Sequence, residues 1–249
     1  MKRLKTIKKK QSGRNSSGKI VIRHQGRQQK RYIRNIDFKR SKTEIVGRVI
    51  SIEYDPNRSS DIALIQYQDG ERRYILAPES LKVDDRVSSG ENVEQRIGNA
   101  MKMKFMPIGT VVHNVEITPG KGGQIARGAG VGAIIQARED NFVHLKLPSG
   151  EIRKIREDSM ATVGSLSNVD HQNEVIGRAG RKILMGIRPT VRGVAQNPRS
   201  HAHGGGEGRS GIGMNPKTYT GSSAVGKTRK PKKYSNKFIL KRRPRGKHG

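Results

Sequence analysis

His201 and His203 lie in the stretch Arg188–Gly213, RPTVRGVAQNPRSHAHGGGEGRSGIG, and their type and spacing could do chemistry. An imidazole titrates near neutrality and can move protons as a general acid or base. A His-x-His pair can also offer two ligands to a metal. Neither reading has company in the chain, because Glu207 is the single carboxylate nearby and no second acid is placed to orient an imidazole. A third reading uses what the stretch does contain, with both histidines hydrogen-bonding a nucleic acid or the backbone of a tight loop. Arg188, Arg192, Arg199 and Arg209 can clamp phosphates or stack on bases. The expectation is therefore a binding loop with no catalytic residue and no metal ligand.

Other motifs weaken on inspection. Gly204-Gly205-Gly206 does not follow a strand, and Gly226-Lys227-Thr228 lacks the upstream glycine of a nucleotide-binding loop. The triplet is expected to let the backbone approach RNA, which a Cβ would hold off. Asp55, Asp61, Asp69, Glu71, Asp84 and Asp85 fall at predicted turns and strand ends, where they read as solubilising turn residues, with no catalytic pair. Lys121, in Pro119–Gly123 (PGKGG), and Arg127 are expected on a loop that contacts RNA.

The charge that surrounds these residues is unevenly placed. The 249 residues carry a net charge of +30. Residues 1–42 hold 16 Lys and Arg against Asp37, and residues 195–249 hold 14 against Glu207. Residues 43–194 are close to neutral, with 21 bases and 19 acids. A field of this size opposes a compact free protein and favours a polyphosphate partner. A near-neutral body with two basic arms reads as a globular core whose extensions order on RNA. The chain has no cysteine, which removes disulfides, thiolate catalysis and cysteine zinc sites. No apolar run approaches the roughly 20 residues of a membrane-spanning helix. The start, MKRLKTIKKKQSG, lacks the apolar stretch of a secretory signal, so a soluble, reducing compartment is expected.

The elements that must position the site read as β-structure. Glu44–Tyr54, Ile62–Tyr67, Glu71–Leu76, Arg86–Val87 and Thr110–Ile117 are predicted strands, with Asp69-Gly70 as a two-residue hairpin turn. Five short strands suit a small barrel such as an OB-fold. Beyond PGKGG, Val131–Ala137, Phe142–Leu147 and Glu151–Ile155 predict a meander turned at Pro148-Ser149-Gly150 and closed near Ala161–Leu166. A helical turn is expected within 170–181, and past Arg188 the chain reads as structureless.

Several stretches together resemble one family. Gly13-Arg14, Asp37–Arg40 (DFKR), Glu53–Arg58 (EYDPNR), Asp69–Pro78 (DGERRYILAP), His113–Glu116 (HNVE) and PGKGG carry the resemblance. So do Ser149–Lys154 (SGEIRK), Arg188–Gly193 (RPTVRG), Asn197-Pro198, His201–Gly208 (HAHGGGEG) and Lys233–Arg243 (KYSNKFILKRR). From about residue 12 the chain resembles the family of the second protein of the large ribosomal subunit, in its bacterial and organellar form. The resemblance departs in the signature loop, where Gln196, Arg199, Ser200 and Ala202 stand for the usual Met, Val, Asp and Pro. Without that Asp, the partner most able to orient His201 is missing. The N-terminus is also shorter than in longer relatives, and contacts made there are expected to be absent.

The resemblance implies a mainly β protein: an OB-fold followed by a Src-homology-3-like barrel, with long basic extensions threaded through RNA. The expected divisions are 1–42 (extension), 43–117 (OB-fold), 118–187 (Src-homology-3-like barrel) and 188–249 (extension). It implies a structural, non-enzymatic role in the large subunit: binding its RNA, supporting assembly and subunit association, and sending the C-terminal arm toward the peptidyl transferase centre. The alternatives are peptidyl transfer through His201 and an RNA chaperone away from the ribosome. Expected RNA contacts are Arg14, Arg34, Lys39, Arg40, Arg58, Arg72, Lys121, Arg127, Arg188, Arg192, Arg199, His201, His203, Arg209, Lys237, Arg242 and Arg243. Expected partners are large-subunit RNA, neighbouring ribosomal proteins and the small subunit, with no membrane and no small-molecule substrate. No cofactor is expected beyond Mg or K ions carried by the RNA. The expected location is the ribosome, in a bacterial cytoplasm ahead of an organelle.

Overall fold

The computed structural model describes residues 4–91, 93–226 and 229–244. The chain forms two compact units, one of Met1–Lys8, Arg31–Val175 and Lys237–Gly249, the other of Lys9–Lys30 and Ile176–Asn236. It is mainly β, as expected.

In the first unit, β1 (Lys5–Ile7) and β2 (Tyr32–Arg34) pair antiparallel. A four-stranded sheet follows from β3 (Gly47–Glu53), β4 (Ile62–Tyr67), β5 (Arg72–Leu76) and β6 (Arg86–Val87), in the order β5-β4-β3-β6. Strand alternation builds its core: Ala63, Ile65 and Tyr67 of β4 face Val49, Ile75 and Val87. Each large aliphatic side chain removed from water here contributes about 1.5–3 kcal/mol.

The larger sheet holds β7 (Ala100–Lys102), β8 (Val111–His113), β9 (Ala133–Glu139), β10 (Phe142–Lys146), β11 (Ile152–Arg156), β12 (Met160–Val163) and β13 (Ile239–Lys241). Its order is β13-β11-β10-β9-β8-β12-β7. Met101, Met103, Met106, Ile135, Val143 and Leu145 fill its core. Two expectations change here. The strand predicted at Thr110–Ile117 was grouped with the first barrel, yet β8 pairs with β9 and β12 in the larger sheet. The tail, expected to be structureless, adds β13 antiparallel to β11, and Phe238 seats its ring 6.2 Å from that of Phe142.

The hairpins show the turn chemistry at work. Tyr67 N–H donates to Glu71 O and Gly70 N–H to Tyr67 O, both at 2.9 Å, so the turn uses three residues with Gly70 at φ +79°. The predicted two-residue turn would need positive φ at Asp69 as well, and Asp69 does not have it. Pro148-Ser149-Gly150 repeats the same bonding between Leu147 and Glu151. The two-residue turn occurs instead at Asp140-Asn141, with φ of +48° and +63°; both residue types tolerate that region.

The second unit is built differently. The short helix α1 (Ala179–Leu184) ends in paired backbone bonds, Gly186 N–H to Ile183 O at 2.9 Å and Ile187 N–H to Lys182 O at 3.1 Å, with Gly186 at φ +99°. Among the described residues this unit buries no hydrophobic side chain.

A buried imidazole sets one pH response of the first unit. His113 is 1% exposed, and its Nδ1–H donates to Gly164 O at 2.7 Å. Burial first, with the Arg40 charge adding, holds its pKa down to about 4. The unfolded chain binds a proton at this ring below about pH 6.5, which the folded chain refuses until about pH 4. Stability should therefore fall as pH drops through that window, by about 3 kcal/mol from this group. In urea unfolding measured from pH 7 to pH 4, His113→Gln should flatten this part of the curve.

Candidate RNA interface

The Asp37–Arg40 loop is held from below. Asp37 N–H donates to Tyr74 O at 2.8 Å, and Asp37 Oδ1 accepts the N–H groups of Lys39 and Arg40 at 3.1 and 2.8 Å. Its Oδ2 receives Arg73 Nη1 at 2.8 Å, and Arg73 Nε lies 2.9 Å from Glu71. Arg73, then Lys42, draws the Glu71 carboxyl down to about 2. The loop thus stands on a chain of paired charges.

A second loop is tied to the first through one carbonyl. Phe38 O accepts both Gly123 N–H at 2.9 Å and Asn114 Nδ2 at 3.2 Å. A Cβ on Gly123 would lie 2.1 Å from Asn114 Oδ1, so only glycine permits this approach. Glu116, 2% exposed, shapes PGKGG from inside: its carboxylate accepts Gly120, Gly122 and Met160 N–H at 3.2, 2.7 and 3.1 Å. Lys121 is left exposed at the loop's tip.

The side chains gathered here make a cationic platform. The Arg127 and Arg58 guanidiniums lie 4.7 and 5.6 Å from the Phe38 ring centroid. Exposed Lys39 runs its stem beside Gly122. Arg58 and Arg127, distant in the chain, thus meet at one aromatic ring, and exposed Lys39 and Lys121 sit on the two loops that the Phe38 carbonyl ties together. A guanidinium held on an aromatic face keeps donors free for phosphate and a plane free for a base. Phe38 was missed as a site residue; a lone phenylalanine within a basic segment was the available signal.

Two predicted contacts, Arg40 and Arg34, have structural roles instead. Arg40, 3% exposed, donates to the carbonyls of Ser88 and Gly98 at 3.4 and 3.2 Å, and burial lowers its pKa. Its charge is out of reach of a ligand. Arg34 lies 3.5 Å from Asp55, which Arg58 Nε also meets at 2.9 Å. Asp55, expected as a solvated turn residue, is 1% exposed. Burial pushes its carboxyl up, but hydrogen bonds from Arg58 and Asn57 more than offset this and hold it below the usual range. Arg34 is thus committed to its carboxylate, while Arg58 serves both Asp55 and Phe38. Arg72 is exposed on β5, Lys237, Arg242 and Arg243 are exposed around β13, and Arg14 is exposed in a turn of the second unit.

A cleft of about 820 Å³ beside β3 and β6 is lined by Arg48, Arg86 and Arg96. Asp84 and Glu94 already pair with Arg48 and Arg96 at 2.7 and 2.8 Å. Two of its three arginines are thus paired within the chain, whereas at Phe38 Arg58 has a carboxylate partner and Arg127 has none among the described residues.

In the second unit, the signature loop binds itself together. Asn197 O accepts Ser200 and His201 N–H at 2.8 and 3.2 Å, and its Oδ1 accepts Arg199 N–H at 3.0 Å. His201 Nδ1 accepts His203 N–H at 3.0 Å, and His203 Nε2 accepts Lys217 N–H at 2.9 Å. The two rings stand 4.8 Å apart. Arg192, Arg199 and Arg209 point outward, and Arg188 is half-buried. The glycine triplet serves the loop itself: Cβ atoms on Gly204, Gly205 and Gly206 would meet Asn197 O, Pro198 Cγ and Ser210 Oγ at 2.5, 2.8 and 2.3 Å. Lys227 and Thr228 lie outside the described residues.

Residues 1–89 match the family model described as Ribosomal Proteins L2, RNA binding N-terminal domain. Residues 96–221 match that described as Ribosomal Proteins L2, C-terminal domain.

Two substitutions separate the platform from its support. Arg127→Gln should weaken binding to large-subunit RNA and reduce the slope of log affinity against log salt by about 0.7–0.9. Arg40→Lys should leave that slope unchanged and lower the melting temperature, since one ammonium cannot replace the guanidinium's reach to two carbonyls. Filter binding across a salt series, with thermal melts of both variants, checks the pair.

Proposed function

The chain belongs to the ribosomal protein L2 family, and from that premise we propose that it pins folded RNA of the large subunit through two cationic surfaces. As a member it is a ribosomal, RNA-binding protein of the large subunit. One surface is the Phe38 platform with Lys39, Arg58, Lys121 and Arg127. The other is the 188–213 loop, with Arg188, Arg192, Arg199 and Arg209. The observation that carries this reading is that none of these except Arg58 is ion-paired to a carboxylate among the described residues. Cations left without internal partners are those that phosphates can neutralise.

The finer assignments follow as our reading of the family resemblance: the loop reaches toward the peptidyl transferase centre, and the protein supports subunit assembly and association. Neighbouring ribosomal proteins and the small subunit complete its partners, and Mg or K ions come with the RNA rather than with this chain. In this reading His201 is structural. Its Nδ1 already holds a backbone N–H, and no ion pair joins either loop histidine to a carboxylate among the described residues.

The test is single-turnover peptidyl transfer on subunits confirmed to contain His201→Gln. Glutamine retains an acceptor but cannot titrate. A structural role predicts a loss below about threefold and an unchanged pH–rate profile, whereas a general acid or base predicts roughly 100-fold or more. Co-sedimentation of the chain with large subunits tests the ribosomal assignment against a free chaperone.

A further inference from the structure

The sequence suggested two separate basic arms, but within the second unit the described parts of Lys9–Lys30 and Ile176–Asn236 pair with each other. Gln25 and Ile187 form an antiparallel bridge. Around it, Gly26 N–H donates to Gly186 O at 3.0 Å, Gln29 N–H to Leu184 O at 3.0 Å, and Arg188 N–H to His24 O at 2.9 Å. Side chains extend the joint on both sides. His24 Nδ1–H donates to Pro189 O at 3.0 Å, and the Arg23 guanidinium stacks 4.0 Å from the Tyr219 ring centroid. The chain turns back from α1 at Gly186 so that Ile187 and Arg188, the entry to the signature loop, meet this partner. On the loop's far side, Lys217 holds His203 two residues before Tyr219. The N-terminal segment therefore grips the loop at its entry and just beyond its exit.

What holds this arrangement is unusual. The unit carries 20 Lys and Arg against Glu207 alone, over segments 9–30 and 176–236. It buries no hydrophobic side chain among the described residues. Backbone bonds exposed to water contribute little net stability, about 1 kcal/mol each, and the charge opposes them. A polyanion reverses the balance, because it removes the repulsion that the pairing must otherwise overcome.

We infer that the two segments form one composite surface for a single region of RNA, in which Arg23–Gln29 positions the 188–213 loop. This rests on the RNA-binding reading above. The segments order together on RNA, and each arm's contacts depend on the other's.

The test is hydrogen exchange on the full chain, with and without transcribed large-subunit RNA, comparing wild type with Gly26→Pro. Proline removes the N–H that reaches Gly186 and cannot adopt the φ of +151° found there. No cation is lost. Expected is RNA-induced protection of both 24–29 and 187–205 in wild type, with protection at 187–205 falling about five- to tenfold in the variant, the scale of one backbone bond lost. Unchanged protection at 187–205, with loss confined to 24–29, would mean that the arms order independently and would overturn the inference. Absence of protection in the wild type would instead overturn the RNA-binding reading itself. Arg23→Lys supplies a milder variant: it keeps the charge but loses the planar stack on Tyr219. It should weaken protection at 217–221 and at 187–205 together, and loss of only the former would count against the coupling.

Discussion

The distribution of carboxylates governs the rest of this molecule. Its acids are concentrated in the β-rich unit, where many are already paired: Asp37 and Glu71 with Arg73, Asp55 with Arg34 and Arg58, Asp69 and Glu71 with Lys42. These pairs set the sheet's surface and lock its loops. They leave the second unit with one acid and a large unneutralised charge. Like charges at this density cannot be relieved by rearranging the chain, so the protein is completed by an external polyanion. The fold and the partner are two consequences of one allocation of charge.

Within the β-rich unit the same economy appears on a smaller scale. A single carbonyl, Phe38 O, joins two loops some 80 residues apart by accepting from Gly123 and Asn114. Glu116 is buried without a cation and is satisfied by three backbone N–H groups instead. Such a carboxylate costs desolvation unless every lone pair is used, and that demand holds the PGKGG backbone in one shape. The loop's own cation, Lys121, is thereby presented to solvent rather than folded back onto the nearest acid. Rigidity here comes from buried polar groups, and binding capacity from the cations they exclude.

The second unit inverts this arrangement. It has local devices in full, including the Gly186 helix ending, the Asn197 turn and the His201–His203 loop, but among the described residues no apolar core to fasten them together. Local turns specify a conformation without stabilising it much. That separation suits a segment that must reach its final fit on a ligand, because the shape is encoded and the binding partner supplies the missing free energy. The first unit, by contrast, melts or holds on its own apolar burial.

The sequence by itself determined the local features. Ile62–Tyr67 and Arg86–Val87 are strands as read, because alternation and β-branched residues act over neighbouring positions. The charge segregation and the mainly β class were equally legible, since both are sums over the chain. Tertiary structure decided what depends on distant partners. β1, β7 and β13 are three-residue strands that exist only because another strand offers its edge, so periodicity could not show them. Arg40 and Arg127 are the same residue type in similar glycine- or lysine-rich surroundings. One is buried beneath Ser88 and Gly98, while the other lies exposed against Phe38. The meeting of Arg58 and Arg127 at Phe38, and the pairing of 24–29 with 184–188, were likewise invisible along the chain. A cation's role depends on whether folding gives it an acid, a carbonyl or only water, and that is fixed by contacts the linear order does not contain.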